Sequence, residues 1–432
     1  MLPVTEKFSL DELNLSDLEF WALPHEVREG AFKTLRRERP IAYFDLPKPE
    51  NLPLFTDPAM FEGGVYLLTK YKDIVDASRQ PEIFCSGRGA TSAFDMPAEM
   101  REYFGSMIEM DDPKHKRLRD IVNKAFTLRQ VRQIEGYVDA AAREIINSIG
   151  PKGEVDFVVE CAARLPLKVI CDMMGVPESQ YDFVFNSSNM ILGLGDPEYT
   201  PDPENPLPQL MSAAMGLTQL ATELAEERLK NPTDDLMSAL INAEVDGQKL
   251  APLELGSFFI LLLVAGNETT RNAISWGLKF LSEHPEQRKI WMEDFDGVQR
   301  GAVEEIIRAA TPVMMMRRTV TRDGAMLSDH EFKDGDKLLM YYISGNRDED
   351  VFDDPYEFNV RREPNNHIAF GGPGPHFCLG ANLARQEIKV MFRDLFEFLP
   401  DIEMADEPQH LQSNFINGIK HMTAKFTPRN GA

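Results

Sequence analysis

The chain has 432 residues, a net charge of −24 and 43% hydrophobic residues. Such a length allows two domains, but no linker divides it, so a single domain over 1–432 is expected. The acidity argues against a nucleic-acid binder, which needs a basic face. The longest apolar run, Phe258–Ala265, is too short for a membrane span, and the opening MLPVTEKFSLDELN has no signal-peptide core. A soluble, cytoplasmic protein is expected.

About 1–110 reads as the β-rich part, with short strands at 42–44 and 64–68. About 111–432 reads as mainly helical. Apolar periodicity predicts helices over 114–124, 129–149, 155–173, 178–191, 209–229 and 234–245. The Pro-rich stretch Asp196–Pro208 reads as an exposed loop between two of them. The longest pattern, 253–284, opens apolar on all sides, which suits a buried central helix. Helices over 286–294 and 299–311, strands over 314–320 and 337–342, and a helical run over 379–399 follow. The chain lacks the βαβ rhythm of a doubly wound fold, so a mainly α fold with small β-sheets is predicted.

The four cysteines, Cys85, Cys161, Cys171 and Cys378, show no zinc-site spacing. Cys161 and Cys171 lie in apolar stretches and read as buried thiols. Cys378 differs. It sits in Phe370-Gly-Gly-Pro-Gly-Pro-His376-Phe-Cys378-Leu-Gly380, a sharply turning loop that runs into a helix. Such a junction offers N–H donors and a favourable dipole, which stabilise a thiolate, and a thiolate ligates metal.

Three further strings carry possible chemistry. Ala265-Gly266-Asn267-Glu268-Thr269-Thr270 lies in the central helix. Gly266 there removes a side chain, and a Thr hydroxyl can return to the carbonyl one turn back or relay protons beside an acid. Packing, with Glu268 in a salt bridge, is the alternative. Glu305-Ile-Ile-Arg308 has the spacing of an ordinary surface ion pair. Finally Lys116, Arg117, Arg119, Lys124, Arg129 and Arg132 form a basic cluster, or else a solvated helix face.

Taken together, the Cys378 loop, AGNETT, ExxR and the later Phe352–Arg362 stretch resemble the cytochrome P450 family, in this order and over nearly the whole chain. The resemblance implies the P450 fold, with haem b between the long central helix and the cysteine loop. It implies that Cys378 is the axial ligand, with Phe370, Gly380, Ala265 and Thr269 against the haem. Glu268 and Thr269 match the acid–alcohol pair that serves oxygen activation. His115, Arg119, Arg318 and His376 match the residues that hold the haem propionates, with Arg317 competing for the place of Arg318. Glu305, Arg308 and Arg362 match a buried structural network, with Arg361 adjacent to the choice of Arg362.

The implied activity is O2-dependent hydroxylation of an unactivated C–H bond. Without a flavin or nicotinamide fingerprint in the sequence, electrons are expected from a ferredoxin and its NAD(P)H-dependent reductase. The strings Leu18–Trp21, Met110–Pro113, Ala265–Ser275, Asn346–Glu349 and Gly380–Arg385 resemble P450s of actinobacteria that oxidise terminal methyl groups of methyl-branched lipids and sterol side chains. Phe370 stands one residue further from Cys378 than in the common pattern, as in that group. Pro373 and Pro375 replace commoner residues and remove N–H donors near the sulfur. The substrate pocket is expected around Phe94, Met107, Leu262, Gly266, Val313, Met316, Phe415 and Ile416, an apolar set next to the Met-rich segment Val313–Met316. A monoterpenoid substrate is the alternative, and haem-thiolate chemistry without O2 a more distant one.

Overall fold

The computed structural model describes residues 9–10, 13–15, 18–46, 62–125, 128–193, 196–200, 202 and 206–429. The side chains of Arg129 and Arg132 lie outside the described set, as do the first eight residues.

The first third holds α1 (Leu18–Trp21), α2 (His25–Glu38), β1 (Ile41–Asp45), β2 (Gly64–Leu68), α3 (Tyr71–Ser78), β3 (Phe84–Cys85) and α4 (Ala98–Gly105). The β-rich expectation for this part is therefore corrected: among the described residues helix outweighs strand there. The helix α2 escapes a search for an apolar stripe because it buries charges. Arg28, Glu29 and Arg36 are all buried. Arg36 is bonded to Glu349 at 3.0 and 3.1 Å, and Arg347 lies 3.2 Å from Glu29.

Next come α5 (Lys114–Ala125), α6 (Leu128–Ile149) and β4 (Glu154–Asp156). The single helix predicted over 155–173 is broken. Its start pairs as β4 with the C-terminal strand β12 (Thr423–Lys425), and Val158–Ala162 winds as a wide π turn before α7 (Arg164–Met174). Asp156 explains the break, because its carboxylate accepts the Val158 N–H at 3.1 Å and competes with helical bonding. Gly175, at φ +70, closes α7 in the left-handed conformation that glycine tolerates.

The helices α8 (Tyr181–Leu192), α9 (Pro206–Lys230) and α10 (Leu236–Asn242) precede the central α11 (Pro252–Glu283). Pro252 opens α11 at a position that needs no N–H, and the Glu254 carboxylate accepts the Ala251 N–H at 2.9 Å. Pro285 opens α12 (Pro285–Glu293) directly after α11 ends. Among the described residues α11 is the one helix long and apolar enough to cross a membrane, but most of it is buried in the core.

The helix α13 (Phe295–Ala310) is followed by β5 (Met315–Val320), β6 (Ala325–Leu327), β7 (His330–Phe332), β8 (Lys337–Tyr341), α14 (Tyr342–Gly345) and α15 (Ala381–Phe398). The short strands β9 (Glu403–Met404), β10 (Gln409–His410) and β11 (Ile419–His421) then lead to β12. One five-stranded sheet, ordered β1-β2-β8-β5-β3, joins strands of the first 85 residues to those of 315–341, with β2 parallel to β8 through Tyr66↔Leu338 and Leu67↔Leu339. A large helical core packs around α11, and two smaller apolar clusters flank the sheet.

Candidate active site

The helix α11 marks its own working face. Within 261–270, Leu261, Leu262, Ala265, Gly266 and Thr269 are partly exposed while their neighbours are buried. Steps of three and four residues place them in one stripe along the helix, turned to an internal space. A Cβ built on Gly266 would meet only the Ile170 side chain, at 3.7 Å, so this stretch leaves room. The Thr269 hydroxyl donates to the Ala265 carbonyl at 2.8 Å. Its oxygen lone pairs stay free for another partner.

Glu268 points elsewhere. It is buried, paired with Arg271, and accepts a bond from Asn272 at 3.1 Å, while its second oxygen has no partner. Arg271 in turn donates to Asn189 of α8 at 2.9 Å. The acid is thus engaged in the salt bridge that the sequence left open as its alternative.

Below α11, the cysteine loop is shaped by Gly371, Gly372 and Gly374, at φ +95, +68 and +141. A Cβ on Gly374 would sit 2.5 Å from the Ser78 carbonyl oxygen, so the prolines alternate with residues that must be glycine. The Cys378 N–H donates to the Phe370 carbonyl at 3.0 Å. Burial pushes the Cys378 thiol up, and the Gly380 N–H, Arg119 and Arg385 pull it the other way. Bound iron would add the charge that holds it as thiolate. Cys161 and Cys171 are fully buried, which raises both thiols and leaves them inert.

A cationic cradle lies beside the loop. The rings of His115 and His376 lie 4.2 Å apart, tilted by 37°, and Arg119 donates to the Phe377 carbonyl at 2.6 Å. Burial, then Arg318, His115 and Arg119, push His376 down to about 2. The buried Nε2 of His115 has no hydrogen-bond partner. This surplus of donors suits the two carboxylates of a haem, so the residues present fit that group. Alternation along β5 separates the two competing arginines. Arg318 is close enough to His376 to depress it, whereas Arg317 reaches the loop 88–95.

The sequence-predicted network comes together behind the loop. Arg308 holds Glu305 through two bonds of 2.8 and 2.9 Å. Arg362 reaches the same carboxylate at 3.2 Å, while Arg361 is exposed. Both arginines also bond backbone carbonyls of 346–357.

Sequence reasoning missed the group next to it. Glu304 accepts from His367 at 2.7 Å and Arg385 at 2.6 Å. Burial alone would raise this carboxyl, but the two partners hold it at about 2. The Arg385 guanidinium also lies 4.5 Å over the Phe370 ring. The signal was present in Glu304-Glu305 and Gly380–Arg385, but nothing in the spacing pairs them. A second missed contact is Glu387 of α15, fully buried and hydrogen-bonded to Thr270, whose carboxyl burial raises to about 8.

The expected pocket residues gather only in part. Val313 and Ile416 form an isolated β-bridge, and Phe94 and Phe415 pack against the cluster that contains Met314 and Met315. Met107 and Leu262 belong to the helical core, and Met316 packs against a third cluster. Two members of the basic cluster are paired, Lys116 with Asp120 and Arg117 with Glu254, while Arg119 and Lys124 bond backbone carbonyls.

A long helix with room over its Ala-Gly-Thr face, a glycine-shaped cysteine loop and a group of His and Arg donors beside that loop are the parts a haem-thiolate protein needs. The family model "Cytochrome P450" matches residues 60–423. The chain belongs to the cytochrome P450 family and is a P450 monooxygenase. It is 48% identical over 420 residues to a methyl-branched lipid omega-hydroxylase of Mycobacterium tuberculosis, covering 96% of this chain and 95% of the relative. It is 37% identical over 398 residues to a steroid C26-monooxygenase of Mycolicibacterium smegmatis, covering 91% and 89%. Among solved structures, a Mycobacterium marinum cytochrome P450 in complex with pseudoionone superposes with a TM-score of 0.89 at 42% identity, over 98% of this chain and all of the other.

Proposed function

We propose that the protein hydroxylates a terminal methyl group of a methyl-branched lipid, isoprenoid or steroid side chain. Electrons come from a ferredoxin and its NAD(P)H-dependent reductase. The observation that carries the reading is the 48% identity, end to end, with an omega-hydroxylase of methyl-branched lipids. The apolar segments around Val313, Ile416, Phe94 and Phe415 support it.

The balance is RH + O2 + two electrons + two protons giving ROH + H2O. Haem b, when bound, supplies O2 activation and the radical chemistry at carbon. The chain does the rest. Cys378 would ligate the iron, and His115, Arg119, Arg318 and His376 would hold the propionates. Thr269 keeps a hydroxyl proton at Oγ1 on the face of α11 turned to the reacting space. Glu268 replenishes it from solvent once the bond to Arg271 opens. The apolar wall excludes water and holds the chain end-on, because a terminal methyl is harder to oxidise than the branch carbon beside it.

The test is a difference-spectrum screen with the holoenzyme, followed by product analysis. Phytanic acid and cholestenone should displace iron-bound water and give terminal alcohols. Turnover of monoterpenoids alone would move the assignment to that class, and oxidation at an interior carbon would defeat the end-on geometry.

A further inference from the structure

The loop 86–95 (Ser-Gly-Arg-Gly-Ala-Thr-Ser-Ala-Phe-Asp) is made of small and polar residues, and three charged side chains hold its backbone. Asp111 accepts the Ser86 and Gly87 N–H groups, each at 2.8 Å. Glu109, buried, accepts those of Ala90 and Thr91, each at 2.8 Å, and the Thr91 hydroxyl at 2.5 Å. Arg317, only 1% exposed, holds the carbonyl side. Its guanidinium donates to the carbonyls of Phe94 at 3.0 Å, Arg88 at 3.1 Å, and Ser92 and Ala93 at 3.4 Å. It also reaches the Asp95 carboxylate at 2.6 Å, and its own N–H meets the Ala90 carbonyl at 2.8 Å. Gly89 makes room for it, since a Cβ there would stand 2.8 Å from the guanidinium carbon.

We infer that Arg317 is a positioning residue for substrate selectivity: its guanidinium sets the path of 88–95 and thereby the place of Phe94 in the pocket wall. The inference rests on the reading that Phe94 lines the substrate pocket. Only a planar group with five donors meets this many acceptors at once; a lysine ammonium offers three from a single point. Ala93 is buried, and Phe94 packs against the apolar cluster that contains Met314 and Met315 and that Phe415 also joins. A displaced loop therefore moves an aromatic ring relative to the segment bridged to Val313.

The experiment uses holoenzymes of Arg317→Gln, Arg317→Lys, Phe94→Ala and the Arg317→Gln/Phe94→Ala double variant, with phytanic acid as probe. Haem content and the carbon monoxide band should stay as in the wild type. Arg317→Gln should raise the dissociation constant on the order of tenfold, the scale of one charged hydrogen bond. It should also lower the ratio of terminal to adjacent oxidation and speed amide exchange in 88–95. Lysine should recover part of both. The double variant should be no less selective than Phe94→Ala, because the arginine acts through that ring. Asp95→Asn weakens the clamp from its exposed end and should shift the ratio the same way, even if Arg317→Gln does not fold. An unchanged product ratio in Arg317→Gln or, failing that, in Asp95→Asn would overturn the inference, as would additive losses in the double variant. Interior oxidation by the wild type would instead sink the proposed regiochemistry, while redistribution of those products by Arg317→Gln would still uphold the clamp.

Discussion

Cys378 is held between opposing influences, burial on one side and a single backbone donor with two arginines on the other. Cys378→Ala should abolish the red-shifted carbon monoxide band of the reduced protein, whereas alanine at Cys85, Cys161 or Cys171 should leave it intact; optical spectra of the reduced complexes decide. Thr269 poses a subtler question, because its hydroxyl is already bonded to Ala265. Thr269→Ala should still bind substrate and consume NAD(P)H, but divert much of it to hydrogen peroxide. Thr269→Ser should keep most of the coupling, and the ratio of product to NAD(P)H checks both. Both residues were legible from their neighbours in sequence. Glu268 was only half legible: a pair with Arg271 three residues on fits helical spacing, but the anchoring of Arg271 by Asn189 depends on α8 packing alongside.

At the scale of elements, α13 is fastened to the stretch after α14 by Glu305, Arg308 and Arg362. Removing Arg308 takes one of two guanidinium partners from a fully buried carboxylate and leaves three backbone carbonyls without that donor, so Arg308→Met should cost about 3–5 kcal/mol or prevent haem incorporation. Chemical unfolding of the holoprotein measures it. The contact between α15 and α11 through Glu387 and Thr270 has a pH signature. An ordinary glutamate titrates at about 4.3. Glu387 in the fold titrates at about 8, so the folded state binds this proton more tightly than the unfolded one. Its contribution favours folding at acid pH and is lost as pH rises from the ordinary value through 8. Glu387→Gln should flatten that part of the stability profile, measured as melting temperature between these limits.

Across the whole molecule, the segment between α8 and α9 is tied to the C-terminal strands. Lys420 bonds Asp196 at 3.0 Å and Glu198 at 3.1 Å, and His421 lies between Glu198 at 2.8 Å and Asp156 at 2.5 Å. Partial burial opposes charge on His421, but the two carboxylates prevail and raise its pKa. The stabilisation is complete below the ordinary histidine value and disappears as pH climbs through the raised one. Amide exchange over 196–200, corrected for intrinsic rates, should therefore accelerate at alkaline pH. His421→Gln should be fast throughout, and a flat profile in the wild type would remove the tie.

Chemistry confined to one stretch of chain was readable directly. A cysteine among alternating glycines before a helix, a Gly-x-Glu-Thr step in an apolar helix, and an ExxR spacing all owe their meaning to local backbone geometry. Side chains that meet across distant segments were not readable in this way. Glu304 with His367 and Arg385, Arg36 with Glu349, and Arg317 with the 88–95 loop are pairings between positions 63 to 313 residues apart. Even adjacent residues, Arg317 and Arg318 or Arg361 and Arg362, were separable only once strand pairing and a turn had fixed which side of the backbone each occupies. A side-chain type follows from the sequence alone, but its direction depends on register, and register is decided by the partner strand or helix that packs against it.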